Sequence, residues 1–288
     1  SNGNATVVGS TGVVTGVTPG TADITYSLPT GCSTSITVTV NGLPTVTATG
    51  GSFCAGSGPV AISASGAATY SWSPSATLSS STGAGVDANP VSSTTYSVIG
   101  TDANGCSNTA TAAVTVNTVP SVSAGSDVAI CVGSNTTLSA IGATSYSWSP
   151  ATGLSSSAGA TVTASPTITT TYTVTGSNGS CTGTATVTVS VNPYPTVPAI
   201  TGNTTLSTSF STLLANATGG GTWSSVTTSV ATIGTAGLVS GVSVGTSEIS
   251  YTVSTSGCST TVTTTVNVLA PTAGLSFDGT NDNVEISR

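Results

Sequence analysis

An all-β chain of tandem small β-sandwiches is the fold that this sequence predicts, and three observations predict it. Apolar residues alternate with Thr and Ser in short runs, and no stretch carries a helical period. An aromatic phrase, ATYSWSPSATL (Ala68–Leu78), returns as TSYSWSPATGL (Thr144–Leu154). Alternation at period two lines one face of a strand with one set of side chains. In TATVTVSV (Thr184–Val191), Ala185, Val187, Val189 and Val191 take one side, with Thr and Ser on the other. Thr and Val are stiff at χ1 and favour strands.

The elements follow in chain order. Residues 1–41 contain TGVVTGVTPGTADITYSLPTGCSTSITVTVN, which matches AGLVSGVSVGTSEISYTVSTSGCSTTVTTTVN near the other end. Gly12, Gly16, Gly20, Tyr26 and Cys32 fall on Gly237, Gly241, Gly245, Tyr251 and Cys258. The first copy has only SNGNATVVGS ahead of this stretch, so residues 1–41 are expected to be the C-terminal part of a truncated module. Residues 42–118 and 119–193 are two copies of another module. Cys54, Trp72, Pro74, Tyr96, Cys106 and Asn117 match Cys131, Trp148, Pro150, Tyr172, Cys181 and Asn192 at offsets that drift from 77 to 75. Residues 194–270 form the full version of the first type, with GGGTWSSVTTSVATIG ahead of the shared stretch. Residues 271–288 open something new. Short strands between Gly, Pro, Asn and Ser turns are the signature of a small sandwich. The joints NGLPTV, NTVPSV and NPYPTVP are short and proline-bearing, which sets an extended course. The modules are therefore expected to stand end to end as a rod.

Each aromatic phrase places Tyr and Trp two apart, on one strand face, and Pro74 or Pro150 ends the run because proline cannot donate to a ladder. Such rings could be stacked in the open to hold sugar. A core tryptophan is the preferred reading, so Trp72, Trp148 and Trp223 are expected to be the core aromatics of their modules.

The six cysteines show no metal-type CxxC spacing, which points to disulfides and an oxidising, extracellular setting. The economical pairs are Cys54 with Cys106 and Cys131 with Cys181, each inside one module. Closing about 50 residues stabilises by roughly 4 kcal/mol on the chain-entropy model.

Composition excludes several functions. Of 288 residues, 3% are charged, Arg288 is the only basic one, and the net charge is −7. Nucleic acid and anionic membrane surfaces are not expected partners of such a chain, and no apolar run approaches a membrane-spanning length. Histidine is absent, so Ser-His-Asp and Cys-His catalysis lack their base. The acids Asp23, Asp87, Asp102, Asp127, Glu248, Asp278, Asp282 and Glu285 are scattered, and no hydrolytic carboxylate pair is expected. Gly219, Gly220 and Gly221 lack the lysine and helix of a phosphate loop. The loops TDANG (Thr101–Gly105) and DGTNDN (Asp278–Asn283) offer oxygens that suit calcium. Both are ordinary turn sequences, and the second copy spells the first loop GSNGS, without an acid. No cofactor and no enzyme activity are expected, with calcium the alternative that these loops leave open.

Taken together, the phrases C…YSWSP…GL…TTTYTV…GC…TVTVN of residues 42–193 resemble PKD-like or Ig-like repeats. TWSS…VATI…GLVSGVSVGTSEISYTV of the fourth module resembles bacterial Ig-like group 2 domains. LSFDGTNDNVEIS is similar to the first strand of a laminin-G or concanavalin-like lectin domain. The resemblance implies tandem small Ig-like β-sandwich modules in a very large surface adhesin of Bacteroidota, exported by type IX secretion, such as the gliding motility adhesins. It implies a structural stalk at the cell surface. Neighbouring modules would be its partners, and glycans or substrata would be met through domains outside this sequence. The alternative is a spacer or glycan-binding arm of a secreted polysaccharide-degrading enzyme. In modules of the fourth kind a cysteine is expected near Ser207; serine stands there, so Cys258 is expected to be unpaired, and Cys32 likewise.

Overall fold

A computed structural model describes residues 3–271. Among them all regular structure is strand. The first module holds β1 (Ala5–Val7), β2 (Val14–Gly16), β3 (Gly20–Ser27) and β4 (Ser33–Val40). The second holds β5 (Thr47–Thr49), β6 (Gly51–Cys54), β7 (Val60–Ser65), β8 (Thr69–Ser73), β9 (Gly85–Ala88), β10 (Thr94–Thr101) and β11 (Ser107–Asn117). In the third are β12 (Val128–Cys131), β13 (Thr136–Ser139), β14 (Ser145–Ser149), β15 (Thr161–Ala164), β16 (Thr170–Ser177) and β17 (Thr182–Asn192). The fourth has β18 (Thr201–Gly202), β19 (Thr205–Ser207), β20 (Ser211–Ala215), β21 (Thr222–Ser225), β22 (Ala231–Ile233), β23 (Leu238–Gly241), β24 (Gly245–Thr255) and β25 (Cys258–Leu269). The stretch expected to open a lectin-like domain, with Asp278, Asp282 and Glu285, lies outside the described residues.

By compactness the chain divides into two units, Ser1–Ser121 with Ser177–Gly183, and Val122–Gly176 with the chain from Thr184 onward. The hairpin loop of the third module thus belongs with the second module.

Each of the last three modules packs two sheets face to face. In the second, β5-β7-β9 faces β6-β11-β10-β8; in the third, β13-β15 faces β12-β17-β16-β14. The fourth opposes β18-β20-β23-β22 to β19-β25-β24-β21. The opening strands divide between the sheets, and a long hairpin forms the spine of one of them. This is the Ig-like arrangement. One feature recurs in all three: the early strand pairs in parallel with the last one, β6 with β11, β12 with β17, and β19 with β25.

The alternation builds the cores. Along β10, Tyr96 and Val98 point inward and are fully buried, as are Tyr172 and Val174 along β16. The outer faces carry hydroxyls that bond across strands, such as Thr171 with Thr188, Ser211 with Ser240, and Thr252 with Thr261. Such neutral cross-strand pairs contribute a few tenths of a kcal/mol each, up to about 1. They let the strands face water with few charges.

Trp72 and Trp148 are 2% and 3% exposed, and each indole Nε1 donates to a carbonyl, Gly83 O at 2.9 Å or Gly159 O at 3.0 Å. Ser73–Pro74 and Ser149–Pro150, just after them, are cis. Trp148→Ala is predicted to cost on the order of 3–5 kcal/mol, from lost burial and the cavity left behind. Chemical denaturation checks this, and a loss below about 1 kcal/mol would contradict it.

Trp223 departs from the expectation of burial. It is half-buried, because the residue opposite it is Tyr251, where Trp72 faces the smaller Val98. The Tyr251 ring takes the inner place at 5% exposure, its centroid 4.5 Å from that of Trp223, and its hydroxyl donates to Thr218 O. The larger ring is left on the outer side.

Gly176 marks a close approach between β16 and two loop residues, Val122 and Ala143. A Cβ there would meet Val122 Cγ2 at 2.6 Å and Ala143 Cβ at 2.7 Å. Gly176→Val should therefore cost about 1–3 kcal/mol through overpacking. An unchanged denaturation midpoint would show that these loops give way freely.

Candidate functional site

The cysteines carry the most informative geometry. Cys54 ends β6 and stands opposite Asn117, the last residue of β11. Cys106 precedes the first residue of the same strand, Ser107. A strand of 11 residues spans roughly 33 Å at its usual rise, and a disulfide requires Cα atoms within about 7 Å. The parallel pairing thus sets Cys54 and Cys106 at opposite ends of their module. Cys131, opposite Asn192, and Cys181, just before Thr182, are separated in the same way. The expected bonds inside the modules do not form.

The bonds join successive modules instead. Cys54 is bonded to Cys181 with Cα atoms 5.8 Å apart, and Cys131 to Cys258 with Cα atoms 5.7 Å apart. Both span 127 residues. The early cysteine sits where the chain leaves its module; the late cysteine sits at the hairpin end that the next module turns back toward that exit. Cys258, expected to be free, is therefore paired, and Cys106 is not; Cys32 is a free thiol, as is Cys106.

Polar contacts surround each bond. Cys181 Sγ lies 3.8 Å from Asn117 O, and Cys54 Sγ 3.5 Å from Ser180 O. At the other bond, Cys258 Sγ lies 3.7 Å from Asn192 O, and Asn192 Nδ2 donates to Ser256 O at 3.0 Å. At the joint between the first two modules, Asn108 Nδ2 donates to Pro44 O at 3.1 Å. Asn117 and Asn192, which close the two YSWSP repeats, thus have places in the junctions, a role that the sequence did not assign.

The other candidates resolve into structure. Asp102 Oδ1 accepts from the backbone N–H groups of Asn104 and Cys106, each at 2.9 Å, so its carboxylate closes the TDANG turn. Asp127 Oδ1 accepts from Thr188 N at 2.7 Å and ties the approach to β12 onto β17. Among the described residues no three His, Cys, Asp or Glu side chains converge. An open cleft of about 270 Å³ lies beside Trp223 and Tyr251, with Asn216 at its rim. That amide is already engaged, donating to Pro198 O and accepting from Thr218 N.

No family model matches the chain, and no curated protein matches it. Solved structures that it is similar to include strings of tandem domains, several of them strings of immunoglobulin domains. An I-band fragment of titin is 11% identical at TM-score 0.41, covering 79% of this chain and 98% of that one. Sidekick-1 immunoglobulin domains 1–5 are 13% identical at TM-score 0.34, covering 93% and 71%. Drosophila OTK extracellular domains 3–5 are 10% identical at TM-score 0.34, covering 77% and 94%.

Proposed function

We propose that this chain is a structural stalk segment of a large extracellular adhesin, in which each junction between modules is covalently locked. The observation that carries the reading is the pair of disulfides between modules, set at the same places and spanning 127 residues each. A spacer needs neighbours that stay together under load, and such a bond supplies this without any ligand. The strand order supports the same role. Because β6 runs parallel to β11, a pull on the ends of the second module with the Cys54–Cys181 bond reduced shears their hydrogen bonds together instead of opening them one by one.

The finer assignment is to a cell-surface adhesin of Bacteroidota exported by type IX secretion and serving gliding or attachment. It rests on the YSWSP and GLVSGVSVGTSEISYTV phrases. Neighbouring modules are the partners within the segment, and glycans or substrata would be engaged elsewhere. With the chain ended at Pro271, neither turnover nor saturable binding of polysaccharides is expected on a glycan array or in a hydrolysis assay. Saturable binding that Trp223→Ala abolishes would move the assignment to a glycan-binding arm of a secreted enzyme.

A further inference from the structure

The two disulfides overlap along the chain. Cys131 lies inside the loop that Cys54 and Cys181 close, and Cys181 lies inside the loop that Cys131 and Cys258 close. The chain therefore passes between the two bonds three times. It runs forward over 77 residues from Cys54 to Cys131, back over 50 from Cys131 to Cys181, and forward again over 77 from Cys181 to Cys258. Bonds inside modules would not overlap, and the chain would then pass from one bond to the next only once. A further bond from Cys106 to a residue before Cys54 would leave the number at three, so the count does not turn on the state of that thiol.

Each crossing goes through different folded strands. The first holds β7–β12, the second β13–β16, and the third β17–β24. The bonds stand at the two ends of β17, since Cys181 precedes its first residue, Thr182, and Cys131 lies opposite its last, Asn192. At the usual rise, the 11 residues of that strand set them about 33 Å apart. β12 runs parallel to β17 over four register pairs, from Val128 with Val189 to Cys131 with Asn192. Tension that draws the bonds apart pulls β17 at its start and β12 at its end, in opposite directions along one ladder. All four pairs are then sheared together.

We infer that the overlapping disulfides make the stretch between them a three-ply tether, in which the second, third and fourth modules yield together. This rests on the locked junctions of the stalk reading, and not on what the stalk carries. The two bonds cannot separate while any one crossing keeps its folded length, because all three crossings end on the same two pairs of sulfurs. Tension is shared among three folded segments, whereas in the reduced chain the modules stand in series and each bears it whole. Forced unfolding is governed by the barrier that must be crossed, and here three barriers are crossed in one event. The 50-residue crossing then sets the stop, at about 175 Å, while the two longer crossings keep slack.

The test is single-molecule pulling of the whole chain, tethered by its two termini, with and without reductant. The reduced chain is expected to give separate rises for the second, third and fourth modules. The oxidised chain is expected to give one rise in their place, at about twice the force or more. A single gain of about 140 Å should follow it. The double variant Cys131→Ser with Cys258→Ser keeps one bond, so the tension passes once through residues 181–270. Its rises are expected to fall back to the reduced level. Reduction of the unaltered chain makes the same comparison, so the test stands even where that variant folds poorly. Stepwise rises in the oxidised chain, at forces no higher than in the reduced one, would overturn the inference. So would a single high rise that the one-bond variant keeps. Disulfide mapping of the same sample separates the two readings. Bonds between modules with stepwise rises would sink the tether and leave the stalk standing, whereas bonds inside modules would sink both.

Discussion

Pulled from its two ends under oxidising conditions, the segment from residue 42 to residue 270 is expected to stop at about a third of the length that it reaches when reduced. A chain of some 228 residues extends to about 800 Å when every residue contributes its full span of about 3.5 Å. With both disulfides intact, the shortest covalent path is 12 residues to Cys54, 50 back from Cys181 to Cys131, and 12 onward from Cys258. That path extends to only about 270 Å. Single-molecule force spectroscopy with and without reductant measures the difference directly. The alternative bonds, Cys54 to Cys106 and Cys131 to Cys181, would leave about 130 residues of path and a limit of roughly 450 Å. The two wirings are therefore distinguished by length alone.

Removing one staple should also produce a large loss of stability. The Cys54–Cys181 bond closes a loop of 127 residues, and on the chain-entropy model such a loop is worth about 5 kcal/mol. The double variant Cys54→Ser with Cys181→Ser leaves neither partner as a new free thiol, and it is predicted to lower the combined unfolding free energy of the second and third modules by about 4–5 kcal/mol. Fluorescence of Trp72 and Trp148 during denaturation reads it. Unchanged transitions would mean that the bond adds nothing to the folded state.

The strands and modules were legible in the sequence because their causes are local. Alternation of Val with Thr dictates strand faces, as in Thr184–Val191, and the recurrence of YSWSP and Cys marks each repeat. The burial of Trp72 and Trp148 follows from alternation, which sends the flanking serines to one strand face and the tryptophan to the other. Trp223 did not follow, since its exposure depends on the residue across the sheet, Tyr251, and a single strand does not name its partner. The cysteine pairing failed for a related reason. It turns on β6 and β12 running parallel to the last strands of their modules, a choice made over 60 residues of sequence separation. Antiparallel pairing would have left the early cysteine near the hairpin. The spacings themselves were ambiguous, because the bonds inside modules and the bonds between modules both recur along the chain. The deepest aromatic residues, Tyr96 and Tyr172, were legible as repeat markers and, for Tyr172, as part of an alternating strand, but not as the deepest of the core. Their hydroxyls reach Thr77 and Thr152, loop residues placed by the fold.

Disulfide mapping of the unreduced chain tests the central claim most directly. Peptic digestion at acid pH keeps thiols from exchanging and does not depend on the near-absent basic residues. The account predicts one linked peptide pair that joins Cys54 to Cys181 and another that joins Cys131 to Cys258, with Cys32 and Cys106 alkylated as free thiols. Linked peptides joining Cys54 to Cys106 and Cys131 to Cys181 would contradict it.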